Sequence, residues 1–355
     1  MVRSQRALIC RLKIVLDATY GLGENLSGVG VYCREILFGI SSAHPEQTFA
    51  FCARPHRLRQ LWRERLPANV QRRLLLDSFA PRSAALFHGL NQRLPEWRAR
   101  RMVSTFHDLF VMTGEYSTPE FRRRFTEQAR FAASRSDLII TVSAFTASQV
   151  SALLSVEAPR IRVIHHGVRA PSSVPTDEQR EDIVLSVGAV QVRKNIARLV
   201  EAFERLPKSW RLVLAGGQGY GFERIRERIE RSPARARIQI AGYVDQAALE
   251  SWYSRARILA FPSLDEGFGI PVLEAMAWGV PVLTANRSAL PEVAGSAALL
   301  VDPLDTEEIA AALSALAEDS ELRQRLAELG RRRAADFRWE DAVTRTWSVY
   351  QELIG

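Results

Sequence analysis

Lysine is nearly missing from this sequence. Of its 48 Lys plus Arg residues only Lys13, Lys194 and Lys208 are lysines, leaving 45 arginines; a biased genome is the plain explanation for the skew, and it makes each retained lysine a candidate for a specific role. Cysteine is scarce as well. Cys10, Cys33 and Cys52 form an odd, widely spaced set with no C-x-x-C pair, and no acidic or histidine cluster flanks them at metal-ligand spacing. The expectation is a reducing compartment and no structural metal. No apolar run reaches the roughly 18 residues that a spanning helix needs. The opening MVRSQRALICRLKIVLDA passes from a short basic tail into an apolar strand without a small-residue cleavage site, so the expected location is cytoplasmic. No internal repeat or low-complexity segment suggests a solenoid or a disordered tail.

What is present fits two ordinary domains: 355 residues, 47% of them hydrophobic, are enough for each half to bury its own core. The formal net charge of +8 suits an anionic partner, whether nucleic acid, an acidic lipid surface or a phosphorylated ligand, and does not choose among them.

Apolar runs of strand length recur in the first half: LKIVLDA at 12–18, ALFHG at 85–89, MVSTFHD at 102–108, DLIITVS at 137–143 and RVIHHGV at 162–168. Each is followed by a turn or a helix-like stretch, the rhythm of a mostly parallel α/β sheet. RAPSSVPTDEQRED at 169–182 is polar, proline-bearing and aperiodic, as a linker would be. The alternation restarts with DIVLSVG, WRLVLAGG, RIQIAGYV, ARILAFPS, PVLTAN and ALLVDP. The reading is therefore an N-terminal Rossmann-like domain over 1–170, a linker over 171–182, a second such domain over 183–337, and a terminal helix over 338–355. In that helix Trp339, Val343, Trp347 and Tyr350 fall at helical spacing, which predicts a packing face. Two open parallel sheets can turn their strand carboxyl ends to one cleft, where such sheets bind ligands.

The stretch PSLDEGFGIPVLEAMAWGVPV at 262–282 places two acids among glycines, prolines and apolar residues. Pro271 suits a first helical turn, and Gly279 with Pro281 makes a stop, so a helix is predicted over 271–278. Glu266 then lies in the preceding loop and Glu274 in the first turns. The loop amides of Gly267, Phe268, Gly269 and Ile270 lie at a helix N-terminus, a ready place for a diphosphate. The competing readings are a solvated loop acid for Glu266 and a dipole-complementing acid for Glu274. In LSVGAVQVRKNIARLVEAF a strand ends at Gly188 and a helix begins near Asn195, with Arg193 and Lys194 in the connecting loop. Two cations at a sheet's carboxyl end suit a departing diphosphate, against a merely solvated basic pair. LVLAGGQGYG, with Gly217, lacks a dinucleotide fingerprint; close approach to a nucleotide and a plain tight turn both fit. In the first half Gly28 and Gly30 open a helix after the first strand, and His107 with Asp108 ends a strand that points into the cleft.

These motifs, E-x7-E in EGFGIPVLE, RKN after VGAVQV, FHDL, the SGVGVY glycine loop and LPEVAG at 290–295, resemble the retaining glycosyltransferases of family 4, in the two-Rossmann-domain GT-B class. The resemblance runs through nearly the whole chain in the expected order. It implies a terminal helix that crosses back to the first domain, and transfer of a hexose from a nucleotide-sugar, without a metal and with retained anomeric configuration. It implies that Glu266 contacts the sugar hydroxyls and Glu274 the ribose, that Phe268 and Gly269 offer amides to the donor, that Arg193 and Lys194 neutralise the diphosphate, and that His107 lies near the transferred sugar. Base selection would involve the backbone around Gly242, Tyr243 and Val244. The sequence departs from the family pattern in carrying Val31 and Ala189 where many members have arginine, and His165-His166-Gly167 in place of the frequent Pro-Asn-Gly, read here as a hinge turn.

No carboxylate nucleophile stands out, so front-face attack by the acceptor hydroxyl is the expected chemistry. The wording of the motifs resembles bacterial mannosyl- or rhamnosyltransferases building surface polysaccharides or lipid-linked oligosaccharides. That makes GDP-mannose the first donor choice and UDP-sugars the next, with no cofactor beyond the co-substrate. PEFRRRFTEQARFAASR at 119–135 mixes Phe121, Phe125 and Ala129 with arginines, so it is either a solvated amphipathic helix or a contact with anionic membrane holding a lipid-linked acceptor. A nucleotide-sugar 2-epimerase shares the architecture, but E-x7-E argues against it. Nucleic-acid binding would explain the charge, but no recognition motif or stacking platform is present.

Overall fold

The computed structural model describes residues 13–24, 26–78 and 84–355; the basic opening tail and Cys10 lie outside them. Two parallel sheets organise the chain. The first holds β1 (Lys13–Asp17), β2 (Thr48–Ala53), β3 (Val70–Leu74), β4 (Ala84–Gly89), β5 (Arg101–Phe106), β6 (Leu138–Thr141) and β7 (Ile161–Val163), in the order β3-β2-β1-β4-β5-β6-β7. The second holds β8 (Glu181–Val187), β9 (Arg211–Ala215), β10 (Ile238–Gly242), β11 (Ala256–Phe261), β12 (Val282–Ala285) and β13 (Leu299–Val301), in the order β10-β9-β8-β11-β12-β13. This is the α/β architecture of two Rossmann-like sheets expected from the sequence. In each, the strand order reverses beside the first strand, between β1 and β4 and between β8 and β11, which opens a crevice at the carboxyl ends.

The central strands are apolar on both faces because helices cover both: Ile14, Val15 and Leu16 of β1 and Ile183, Val184 and Leu185 of β8 are fully buried. The recurring apolar runs miss β2 and β3. TFAFCA is a short apolar run entered from the turn at 44–47, and VQRRL is an edge strand whose Gln71, Arg73 and Leu74 are exposed, so it carries almost no apolar signal.

The polar stretch read as a linker is pinned to the second domain at its far end. Asp177 accepts from Arg323, at 2.6 Å from Nη2, while buried Arg180 donates to the carbonyls of Tyr253 and Ala256 at 2.8 Å each. Glu181 and Asp182, the last residues of that stretch, already belong to β8. The long charged run after 305 is two helices, Thr306–Glu318 and Ser320–Ala335, with Asp319 accepting from Leu322 N to start the second. The helix predicted over 271–278 is Ile270–Ala277, entered from Gly269 at φ +107° and left through Gly279 at φ +64°.

The last helix, Trp339–Ile354, returns to the first sheet and lies on helix Gly28–Ala43. Its Trp339, Val343 and Tyr350 are buried in that domain's core, with Trp347 packed at the margin. Tyr350 OH meets His88 Nδ1 at 2.6 Å, and His88 Nε2 meets Thr105 Oγ1 at 2.9 Å, so a buried imidazole is satisfied at both nitrogens. Among the described residues no helix is long and apolar enough to cross a membrane.

The two helices cross closely because residue 39 has no side chain: a Cβ there would sit 2.4 Å from Val343 Cγ2. Gly39→Ala is expected to cost about 1–3 kcal/mol through overpacking, measured as a lower denaturation midpoint. Adding Val343→Ala should recover part of that loss.

Candidate functional site

Glu266 follows β11 and is buried, as is Arg193 in the turn after β8. Arg193 Nη1 lies 2.8 Å and Lys194 Nζ 2.6 Å from the same Glu266 Oε1. The cations are therefore not a solvated basic pair, and Glu266 is not a solvated loop acid. Local backbone sets this up: Asn195, at φ +59°, ends the turn carrying Arg193 and Lys194, and its side chain donates to Pro303 O at 2.6 Å. A Cβ on Gly188, at φ +119°, would meet Lys194 Cε at 3.1 Å, so the bare glycine leaves room for the lysine stem.

The electrostatics follow from burial and pairing. Burial disfavours the Glu266 carboxylate, but Arg193 and Lys194 outweigh it and bring its pKa down to about 2. Burial lowers Lys194 to about 8 in spite of Glu266. Arg193 Cζ stands 4.0 Å from the Phe110 ring centroid and Lys194 Nζ 4.2 Å from that of Phe261, so each cation also faces an aromatic ring.

The first domain closes on this cluster. His107 is buried at the end of β5, donating from Nε2 to Leu90 O at 2.9 Å and leaving Nδ1 unpartnered. Its burial lowers its pKa to about 4, so the ring is neutral near pH 7. A Cβ on Gly267 would lie 1.8 Å from His107 O; the glycine is there because two backbones meet across the domain seam. Two acids missed as site residues join the cluster. Asp108 is pushed up to about 6 by burial, with Arg193 opposing. Asp265 accepts from Thr113 Oγ1 at 2.7 Å and leaves Oδ1 unpartnered. The signal for both was present, in the aspartate of FHDL and the acid before Glu266.

Other predicted residues sit elsewhere. Tyr243, Val244, Ile270 and Glu274 line a cleft of about 1280 Å³ between the domains, with Arg34 and Glu64 among its residues on the opposite wall. Arg193, Lys194, Glu266 and His107 are not part of that lining. Gly28 faces the second domain, where a Cβ would come 3.1 Å from Ile270 Cδ1, while Gly30 is a packing glycine held against Tyr20 O. Gly217 has open space at its Cα, whereas its neighbours Gly216 and Gly219 pack on Gly188 and Gln191, as in a plain tight turn. Phe268 is buried against His166, ring centroids 4.8 Å apart, and against Phe337 at 5.9 Å, so its side chain packs on the His165-His166-Gly167 turn. His166 is buried between Tyr32 and Phe268, and a Cβ on Gly167 would strike Trp339 N at 2.3 Å, in keeping with a hinge turn packed on the returning helix.

Glu274 is more than a dipole complement: it accepts from Tyr253 OH at 2.8 Å. Burial raises it to about 7, against that hydrogen bond. A carboxyl raised in the folded state contributes stability that is present below about 4.5 and is lost as pH rises through about 7. Glu274→Gln should therefore flatten the fall in melting temperature across that window, measured by thermal denaturation from pH 4 to 8.

A family model described as glycosyl transferases group 1 matches residues 172–333, and one described as glycosyltransferase family 4 matches residues 26–170. The chain is 34% identical over 284 residues to O-antigen chain mannosyltransferase B of Escherichia coli, covering 76% of this chain and 74% of that protein. It is 28% identical over 239 residues to MMP alpha-(1->4)-mannosyltransferase of Mycolicibacterium hassiacum, covering 65% of this chain and 57% of that one. Among solved structures, sucrose-phosphate synthase from Thermosynechococcus elongatus superposes with a TM-score of 0.79 at 21% identity, over 97% of this chain and 99% of that one, so the fold is GT-B. The chain belongs to the group 1 glycosyltransferases of family 4, and it is a glycosyltransferase.

Proposed function

We propose that this enzyme is a retaining transferase that moves a hexose, mannose in the first instance, from a nucleoside diphosphate to a hydroxyl of a glycan or lipid-linked acceptor, without a metal. The observation that carries the reading is the burial of Arg193 and Lys194 together on Glu266. Breaking the bond between sugar and diphosphate develops negative charge on the leaving β-phosphate and positive charge on the sugar ring. Two cations fixed in a low-dielectric site stabilise the former far more than they would in water, in the role a divalent ion plays in other transferases.

Glu266 holds the cations in place and offers its oxygens to sugar hydroxyls. Tied to two cations at a pKa of about 2, it is a weak nucleophile, which favours front-face attack with the leaving phosphate as base. Glu274 and the Tyr243-Val244 backbone, on the cleft wall, take the nucleoside. The mannosyl names of both relatives favour GDP-mannose, with UDP-sugars next. His107, neutral and with Nδ1 unpartnered, accepts a hydrogen bond from the transferred sugar in this reading.

Helix Pro119–Arg135 supports a peripheral membrane contact on the side that would meet a lipid-linked acceptor: Phe121 and Phe131 are exposed beside arginines, while Phe125 and Ala129 are buried.

A panel of GDP-, UDP-, ADP- and dTDP-sugars tests the donor. GDP-mannose at about 100 times its dissociation constant should stabilise the fold by about 2.7 kcal/mol and be slowly hydrolysed; stabilisation by none of the panel would remove the transferase reading. With Lys194 titrating near 8, kcat/KM should fall as pH rises through that value, and Lys194→Arg should lose that limb; an unchanged profile would take Lys194 out of the phosphate site. Flotation with anionic vesicles should show binding that salt weakens and that Phe121→Ser with Phe131→Ser reduces; salt-insensitive absence of binding would remove the membrane contact.

A further inference from the structure

The motif LPEVAG forms a short helix, Leu290–Ala294, in the second domain, and its one acid reaches across the domain seam. Glu292 Oε1 accepts from Ala144 N at 2.9 Å and Oε2 from Phe145 N at 3.2 Å. These are the first two amides of helix Ala144–Leu154 in the first domain. That helix has its own cap, Ser143, whose Oγ accepts from Thr146 N at 2.9 Å and leaves the first two amides to others. Helix starts carry amides without intrahelical partners and the positive end of the dipole, so a carboxylate bridging two of them is the matching group. His165 of the hinge turn adds a third contact, Nε2 to Glu292 Oε1 at 2.7 Å. Burial works against the charge, but the His165 and amide hydrogen bonds outweigh it and hold the Glu292 carboxyl below the usual range.

The same helix start grips the donor loop. Ser143 Oγ and Thr146 Oγ1 donate to Gly267 O at 2.7 and 3.0 Å. Within the second domain Glu266 N donates to Ser288 Oγ at 3.2 Å and Ala289 N donates to Glu266 O at 3.2 Å, so the segment bearing Glu292 also backs the loop bearing Glu266. One helix terminus is therefore clamped at two points by a single unit of the other domain, next to the His107–Gly267 contact.

We propose that Glu292 is a positioning residue, the latch that fastens the start of helix Ala144–Leu154 to the 266–269 loop when the cleft is closed, and so sets Glu266 in register with His107. It touches none of the reacting groups and acts through Gly267 and the hinge. The open cleft would leave the Ala144 and Phe145 amides to water, so closure exchanges solvent hydrogen bonds for a charge-assisted pair that only the correct domain orientation supplies.

Amide exchange in the full chain tests the latch without any donor: Glu292→Ala should speed exchange at Ala144 and Phe145 about tenfold, and scattering should give a larger radius of gyration. Glu292→Gln, which keeps one acceptor oxygen, should lie between. The turnover arm rests on the proposed function and uses GDP-mannose with methyl α-mannoside as acceptor. Here Glu292→Ala should lower kcat about 100-fold, because the loop is misplaced, while calorimetric GDP affinity stays unchanged. Unchanged exchange at the two amides would overturn the latch; faster exchange with unchanged kcat, or a parallel loss of GDP affinity, would overturn the positioning role. If the wild-type enzyme transfers no mannose, the donor reading fails, and exchange and radius of gyration alone decide the latch.

Discussion

A buried carboxylate shared by two buried cations is the interaction on which the rest of the site depends. Taking three charges out of water costs several kcal/mol per ion, and only mutual pairing with well-placed additional contacts offsets it. Arg193 supplies one such contact by donating to Asp265 O as well as to Glu266, and the rings of Phe110 and Phe261 face the two cations. Removing Glu266 would strand two cations in a dry site, and removing either cation would leave the other to carry the acid alone. Such a cluster is a poor way to gain stability; what it achieves is to hold two cations at one fixed place.

Because the cluster lies under the seam, its geometry depends on how the domains meet. Phe110, Thr113, His107 and Asp108 come from the segment after β5, while Arg193, Lys194, Asp265 and Glu266 follow β8 and β11. Gly267 allows the backbones to touch, and the stack of Tyr32, His107, His166, Phe268 and Trp339 fills the angle between hinge and returning helix. The His165-His166-Gly167 turn is thus part of an aromatic packing unit continuous with the charge cluster, which gives the replacement of Pro-Asn-Gly by two histidines a physical role: His166 is a core ring and His165 a partner of Glu292.

The wall of the interdomain cleft follows different rules. Tyr243, Val244 and Glu274 line an open cleft, where Tyr253 donates a hydrogen bond to the Glu274 carboxyl. The cleft wall and the charge cluster are thus different environments, the first open to solvent and the second buried.

Most of the architecture was legible in the chain. Apolar runs with helix-like spacers reveal eleven of the thirteen strands among the described residues, because buried parallel strands must be apolar on both faces, and the aromatic spacing from Trp339 to Tyr350 reveals a terminal helix with a packing face. The edge strand β3 escapes for the converse reason, since one exposed face and one open edge let it be polar. Local motifs also mark both acids and both cations, because glycine turns and helix starts are properties of short segments. What no segment contains is the partnership between them. That Glu266 binds Arg193 and Lys194 some seventy residues away, that Gly267 is bare to admit His107 O, and that Glu292 caps a helix 148 residues earlier in another domain are decided by where the folded sheets bring distant loops. Residue types and spacing determine which groups can carry charge, turn or pack; tertiary structure alone decides which of them are buried together, and burial sets their charge states.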